Sequence, residues 1–142
     1  MNDDLADAEQ GPKIELRQLA ASRTGAAGDW NVDWEVENPG DNPLMLVAAR
    51  LPHGKFKAEE IRFVPPVDLA PGERNRFQVS VRCHEPGGLV TENAFVIFQA
   101  IWCGEQWRIF ARIRVVVTDD GRPETGTESI TTQRVGFSGV ST

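Results

Sequence analysis

The sequence holds one tight grouping of potential metal ligands or nucleophiles, Cys83-His84-Glu85, with Cys103 and His53 elsewhere in the chain. Zinc takes four nitrogen or sulfur ligands, usually delivered as close pairs. The chain has no C-x-x-C and no H-x-x-x-H spacing. If a strand runs through Cys83 and His84, their side chains point to opposite faces, which is poor geometry for a shared ion. A nucleophilic thiol needs a positioned base, and the local spacing supplies none. The expectation is a buried Cys83 at a strand end and a solvated His84 in a turn. Two cysteines are too few for a disulfide framework. Cys83 and Cys103 are expected as free thiols, able to pair only in an oxidising compartment with suitable geometry.

A second group, Asp29, Asp33, Glu35 and Glu37, offers paired carboxylates. General acid–base work needs a cleft that shifts pKa and excludes water. The last three instead alternate with Trp34 and Val36, which places them on one open strand face. Phosphate-binding glycine motifs are absent. Gly87-Gly88 after Pro86 is a turn signal, and the chain has no tyrosine. Most of the four tryptophans fall on expected core faces. Sugar binding by exposed aromatics is left with Trp30, at a strand start. These residues predict no enzyme, no cofactor and no metal.

The elements that would position any site read as short strands. Trp30, Val32, Trp34 and Val36 alternate with Asn31, Asp33, Glu35 and Glu37, the pattern of a strand with one buried face. Ile14 and Leu16 begin an earlier strand, and residues 20–28 form a Gly/Ala/Ser loop. Asn38-Pro39-Gly40-Asp41 is a turn, because Pro fixes φ and Gly accepts positive φ. Residues 44–51 form a third strand, apolar on both faces. Residues 61–64 form a short fourth strand, stopped by Pro65-Pro66. After Leu69-Ala70-Pro71-Gly72-Glu73, Phe77, Val79 and Val81 mark a fifth. Residues 93–103 and 106–117 are the last two, joined at Gly104-Glu105 by a type II′ turn. The expected fold is all-β, an immunoglobulin-like sandwich of about seven antiparallel strands. The sandwich would span residues 13–118. Residues 1–12 form a loose N-terminal tail, and residues 119–142 a C-terminal tail; its segment from Ile130 to Phe137 is expected either to dock as an added strand, on its own sandwich or on a partner's sheet edge, or to stay loose.

Trp34-x-Val36-x-Asn38-x-Gly40, then Pro43-Leu44, then Leu69-x-Pro71-Gly72-Glu73 before Phe77-x-Val79-x-Val81 resembles bacterial immunoglobulin-like domains of the cell-adhesion-related-module type. The resemblance covers roughly residues 12–118 and rests on turn and core signatures. It implies a fold and no activity, because such sandwiches host many functions.

The second and fifth strands would pair, setting Asp33, Glu35 and Glu37 near Arg76 and Arg82 as ordinary wet surface. The last hairpin differs. A turn at Gly104-Glu105 pairs Trp102 with Trp107, Ala100 with Ile109, Phe98 with Ala111 and Val96 with Ile113 on an apolar inner face. The outer face then carries Phe95, Ile97, Ile101 and Phe110 interleaved with Arg108, Arg112 and Arg114. Large apolar groups beside arginines resemble a protein interface. Internal cover by a tail or by the connection over residues 52–66 would explain the face equally well.

The chain has 142 residues, 40% of them hydrophobic and 25% charged, with a formal charge of -6. That is enough for one domain with a real core. Acidity argues against nucleic acid, since phosphate contacts need cation density. No apolar run approaches the roughly 18 residues of a membrane helix. The acidic start, Met1-Asn2-Asp3-Asp4-Leu5-Ala6-Asp7, is not a secretory signal, so the chain is expected in the cytoplasm, or secreted if a signal has been removed. The expected function is a non-catalytic protein-interaction or structural module, with a protein partner or a second copy on the outer face. The alternative is a small-molecule or carbohydrate-binding domain with loops holding the ligand at one end.

Overall fold

Alternating apolar residues produce eight antiparallel strands in the computed structural model, which describes residues 11–135. They are β1 (Glu15–Arg23), β2 (Asp29–Glu37), β3 (Leu44–His53), β4 (Phe56–Leu69), β5 (Arg74–Arg82), β6 (Val90–Trp102), β7 (Glu105–Val117) and β8 (Pro123–Arg134). The strands form one sheet in the order β1-β2-β5-β4-β3-β6-β7-β8. It is coiled into a nearly closed barrel. No helix among the described residues is long and apolar enough to cross a membrane.

The expected seven-stranded immunoglobulin-like sandwich is corrected on two counts. First, the sheet is continuous. The β3–β4 hairpin carries the ladder around, and β4 reaches β5 at Lys57↔Arg82. Two separately packed sheets have no such bridge. Second, an eighth strand follows Thr118. β8 pairs along β7 from Pro123↔Val117 to Arg134↔Trp107. Residues 119–142 thus contribute a strand that begins well before Ile130. Residues 1–10 and 136–142, including Phe137, lie outside the described residues.

The seam between β1 and β8 is bridged by side chains. Gln18 Nε2 donates to Pro123 O (3.0 Å), and Thr125 N donates to Gln18 Oε1 (3.0 Å). Thr127 Oγ1 donates to Leu16 O (2.9 Å). The Gln18 carboxamide thereby satisfies backbone groups of β8 that a neighbouring strand would otherwise bond.

The interior is the single face that alternation prescribes. Val32, Trp34 and Val36 meet Leu46, Val79, Val96, Phe98, Ile109 and Ile113, all buried. Trp34 packs edge-on against Phe56 with centroids 6.4 Å apart, and Phe77 links Phe63 and Phe98 at 5.3 and 5.8 Å. Such geometries suit the aromatic quadrupole. Gly11 and Pro12, expected in a loose tail, are buried. A Cβ on Gly11 would lie 2.5 Å from Trp107 Cζ3, so the chain enters the barrel at a contact only glycine allows.

Three local expectations change. Pro65-Pro66 does not stop the fourth strand. β4 continues through them because the β3 register jumps from Leu46↔Val67 to Ala48↔Arg62, leaving the prolines outside the ladder. The stretch from residue 52 to 66 is no covering connection but the turn and second strand of a hairpin. The final hairpin turns at Cys103-Gly104, where φ is 51° and 74°, giving a type I′ turn in place of II′. Trp102 therefore faces Glu105, Ala100 faces Trp107 and Phe98 faces Ile109. The register differs from expectation by two residues, an even step, so each side chain keeps its face.

Candidate binding face

The residues with chemistry of their own are dispersed. Cys83 is buried and Cys103 exposed, and neither is bonded. Burial, and secondarily the charge of Glu85, pushes the Cys83 thiol pKa up, the direction of an inert thiol. Cys103 follows Trp102, which pairs with Leu44, itself paired with Leu69. Leu69 leads into the start of β5, whereas Cys83 follows its end. Nine residues of β5 separate the two levels, roughly 30 Å of strand. A disulfide allows about 7 Å between Cα atoms, so one chain cannot close this bridge. Among the described residues, no three His, Cys, Asp or Glu side chains converge as metal ligands.

The carboxylate row lies on the open outer face of β1, β2 and β5, each member held. Arg17 donates to Glu35 (2.6 Å), Arg74 to Glu37 (3.2 Å), Arg82 to Asp29 (2.8 Å) and Gln78 to Asp33 (2.7 Å). Arg76 stands opposite Glu35 as expected, but Arg82 stands opposite Asp29 and not beside Asp33, Glu35 or Glu37. The Arg17 hydrogen bond holds the Glu35 carboxyl below the usual range. Trp30 is buried, with its Nε1 donating to Cys83 O at 3.2 Å, so it is no sugar platform.

The outer face of β3, β6, β7 and β8 is organised differently. Cross-strand rows run Met45–Ile101–Gln106, Ala48–Gln99–Arg108–Gln133, Arg50–Ile97–Phe110–Thr131 and Phe95–Arg112–Ser129. Phe95 and Phe110 are half-buried and meet edge-to-face at 6.5 Å. Ile97 is only 9% exposed, covered by its own neighbours, whereas Ile101 is 38% exposed. Arg112 donates to Ser129 Oγ and Asn93 Oδ1, both at 3.2 Å, and Arg114 pairs with Glu92 at 3.0 Å. Phe95, Ile97, Ile101, Arg108, Phe110, Arg112 and Arg114 thus share one face.

β3 adds residues that the hairpin alone did not suggest. A bulge at Val47 reverses the strand's phase, so Leu46 points in while Ala48 and Arg50 point out. Ala48, Arg50, Glu60, Ile97, Gln99 and Arg108 line a notch of about 230 Å³. An adjoining depression of about 410 Å³ shares Gln99 and Arg108 and adds Val47, Arg62 and Ile101. The signal for this extension is the two-faced apolarity of residues 44–51, which a strand with a wet outer face lacks.

No protein-family model matches the chain, and no curated protein matches it. A solved structure that resembles it is the solution structure of a late embryogenesis abundant (LEA) protein, at 11% identity and a TM-score of 0.38, covering 94% of this chain and 76% of that one. A TM-score this low assigns neither family nor function. The single continuous eight-stranded sheet overturns the resemblance to immunoglobulin-like modules.

Proposed function

We propose that the chain is a non-catalytic binding module that takes a protein segment on the outer face of β3, β6 and β7. The observation that carries this reading is the apolar band of Met45, Phe95, Ile97, Ile101 and Phe110 between cations, with Ile101 38% exposed. On the opposite face every outward carboxylate of β2 already has a partner. Charge complementarity selects the occupant: among the described residues no ion pair holds Arg50 or Arg108, so a segment bearing both acidic and apolar side chains fits.

A second reading has its own observation. The loop before β3, the turn after β4 and the β6–β7 turn border an open cleft of about 530 Å³ at one barrel end, lined by Pro43, Leu44, Met45, Leu69, Ile101 and Cys103. That size and lining suit a small apolar ligand.

The test is anisotropy of a fluorescein-labelled peptide of repeated Glu-Leu-Glu-Phe units. Phe110→Ser should weaken binding by about tenfold or more, the scale of an aromatic anchor. Pro43→Asp, in the end cleft, should leave it unchanged. The reading fails if binding ignores Phe110 or follows Pro43.

A further inference from the structure

We infer that the notch between Arg50 and Arg108 is a carboxylate-binding subsite, which makes acidic side chains the specificity element of the bound segment. The inference rests on the reading of this face as a protein-binding surface.

Among the described residues, every arginine except Arg50, Arg76 and Arg108 is held by an ion pair or side-chain hydrogen bond. Arg76 lies on the opposite face, opposite Glu35. The other two line one notch. They are brought there by different strands: Arg50 stands opposite Ile97, and Arg108 opposite Gln99. Ala48 and Ile97 lie beneath the notch and expose little surface, 1% and 9%. Gln99 adds a neutral amide to the same lining. Glu60 reaches the rim but pairs with Arg62 at 3.5 Å.

Arg50 and Arg108 have no ion pair among the described residues, and the one carboxylate of the notch, Glu60, is held by Arg62, so both guanidinium groups keep donors to offer. A guanidinium binds a carboxylate through two parallel N–H···O bonds. The volume of about 230 Å³ lies below the roughly 300–1,000 Å³ of sites that engulf whole small molecules. It suits the head of one side chain, whose remainder lies along Ile97, Ile101 and Phe110. The chain's formal charge of -6 should repel acidic peptides overall. A preference for an acidic peptide would therefore report this local field and not net charge.

The experiment compares the Glu-Leu-Glu-Phe peptide with a version in which every Glu is Gln, on wild type and on Arg50→Gln, Arg108→Gln, Arg76→Gln and Ile101→Ser. The glutamate peptide should bind about tenfold more tightly than the glutamine peptide, a difference of about 1.4 kcal/mol. Arg50→Gln and Arg108→Gln should each remove most of that preference and leave the circular dichroism unchanged. Arg76→Gln should do nothing. Added salt should erode the preference as the Debye length falls to about 8 Å at physiological ionic strength. Equal binding of both peptides, indifferent to Arg50 and Arg108 but weakened by Ile101→Ser, would overturn the subsite and leave the face reading standing. An Arg76→Gln effect as large as that of Arg108→Gln would also overturn it. Binding of neither peptide would remove the face reading and the subsite together.

Discussion

Asn38 is the buried polar residue on which one end of the barrel turns. It is 1% exposed. Its Nδ2 donates to Asn42 O (2.8 Å) and Leu69 O (3.0 Å), and its Oδ1 accepts from Gly40 N (2.9 Å). Its backbone N donates to Glu73 O at 3.0 Å and its carbonyl accepts from Gly72 N at 2.7 Å. One side chain thus ties the loop after β2 to the turn between β4 and β5. Asn38→Ala removes three hydrogen bonds; at about 1 kcal/mol each, the loss is about 3 kcal/mol. In a domain of this size about 1 kcal/mol moves Tm by roughly 2–4 °C, so melting should fall by roughly 6–12 °C. Asn38→Asp keeps the shape but turns the donor into a carboxylate facing two carbonyl oxygens. It should cost more than Asn38→Ala at neutral pH. Burial raises that carboxyl's pKa, so the Asp variant should recover stability relative to wild type as pH falls and the group protonates. Urea unfolding of the three proteins across pH measures this. An Asn38→Ala loss below about 0.5 kcal/mol, the range of an ordinary surface change, would mean that these hydrogen bonds do not hold the barrel end. So would an Asp variant more stable than the Ala variant at neutral pH.

Other outcomes follow from the same contacts. Native protein should titrate one thiol with a disulfide reagent at neutral pH, the exposed Cys103, and the second, Cys83, only in denaturant; rapid loss of both would contradict the burial of Cys83. Gln18→Leu strips the seam of two hydrogen bonds, so it should destabilise by about 1–3 kcal/mol. It should also speed amide exchange at Thr125 more than at Ile109. The Arg17–Glu35 pair makes a folded-state carboxyl with a lowered pKa, which stabilises above the unfolded pKa and is lost as pH falls through the folded one. Arg17→Gln should therefore raise the Glu35 titration midpoint read by carboxyl NMR, and an unmoved midpoint would show that the pair is not formed.

The alternation in β2, β5, β6 and β7 was legible because a half-buried strand must alternate, and the faces of the final hairpin followed from it. The turn type was not. Cys103-Gly104 adopts two positive φ values, and a non-glycine residue at such a position carries little local signal. Pro65-Pro66 misled for a related reason: a proline argues against a ladder position, and the bulged register that spares it is set by β3, far away in sequence. The Thr- and Gly-rich composition of residues 123–134 suggests a tail, and only pairing with β7 makes it a strand. The apolar and arginine residues of the candidate face were readable from period two. Arg50 was not, because the phase reversal at Val47 is a tertiary feature of β3. The turn motifs around Asn38 and Gly72 reported local turns faithfully. They did not report sheet closure, which depends on where β4 and β8 find partners.

Binding on the outer face of β3, β6 and β7 dictates which backbone amides a ligand perturbs. Two-dimensional amide spectra of labelled protein, titrated with the Glu-Leu-Glu-Phe peptide, test it most directly. Perturbations should concentrate at Ala48, Arg50, Gln99, Ile101, Arg108 and Phe110, and leave Asn31, Asp33, Gln78 and Ser80 on the opposite face unmoved. Perturbations centred on β1, β2 and β5, or confined to Asn42, Leu44 and Ala70 at the barrel end, would contradict it.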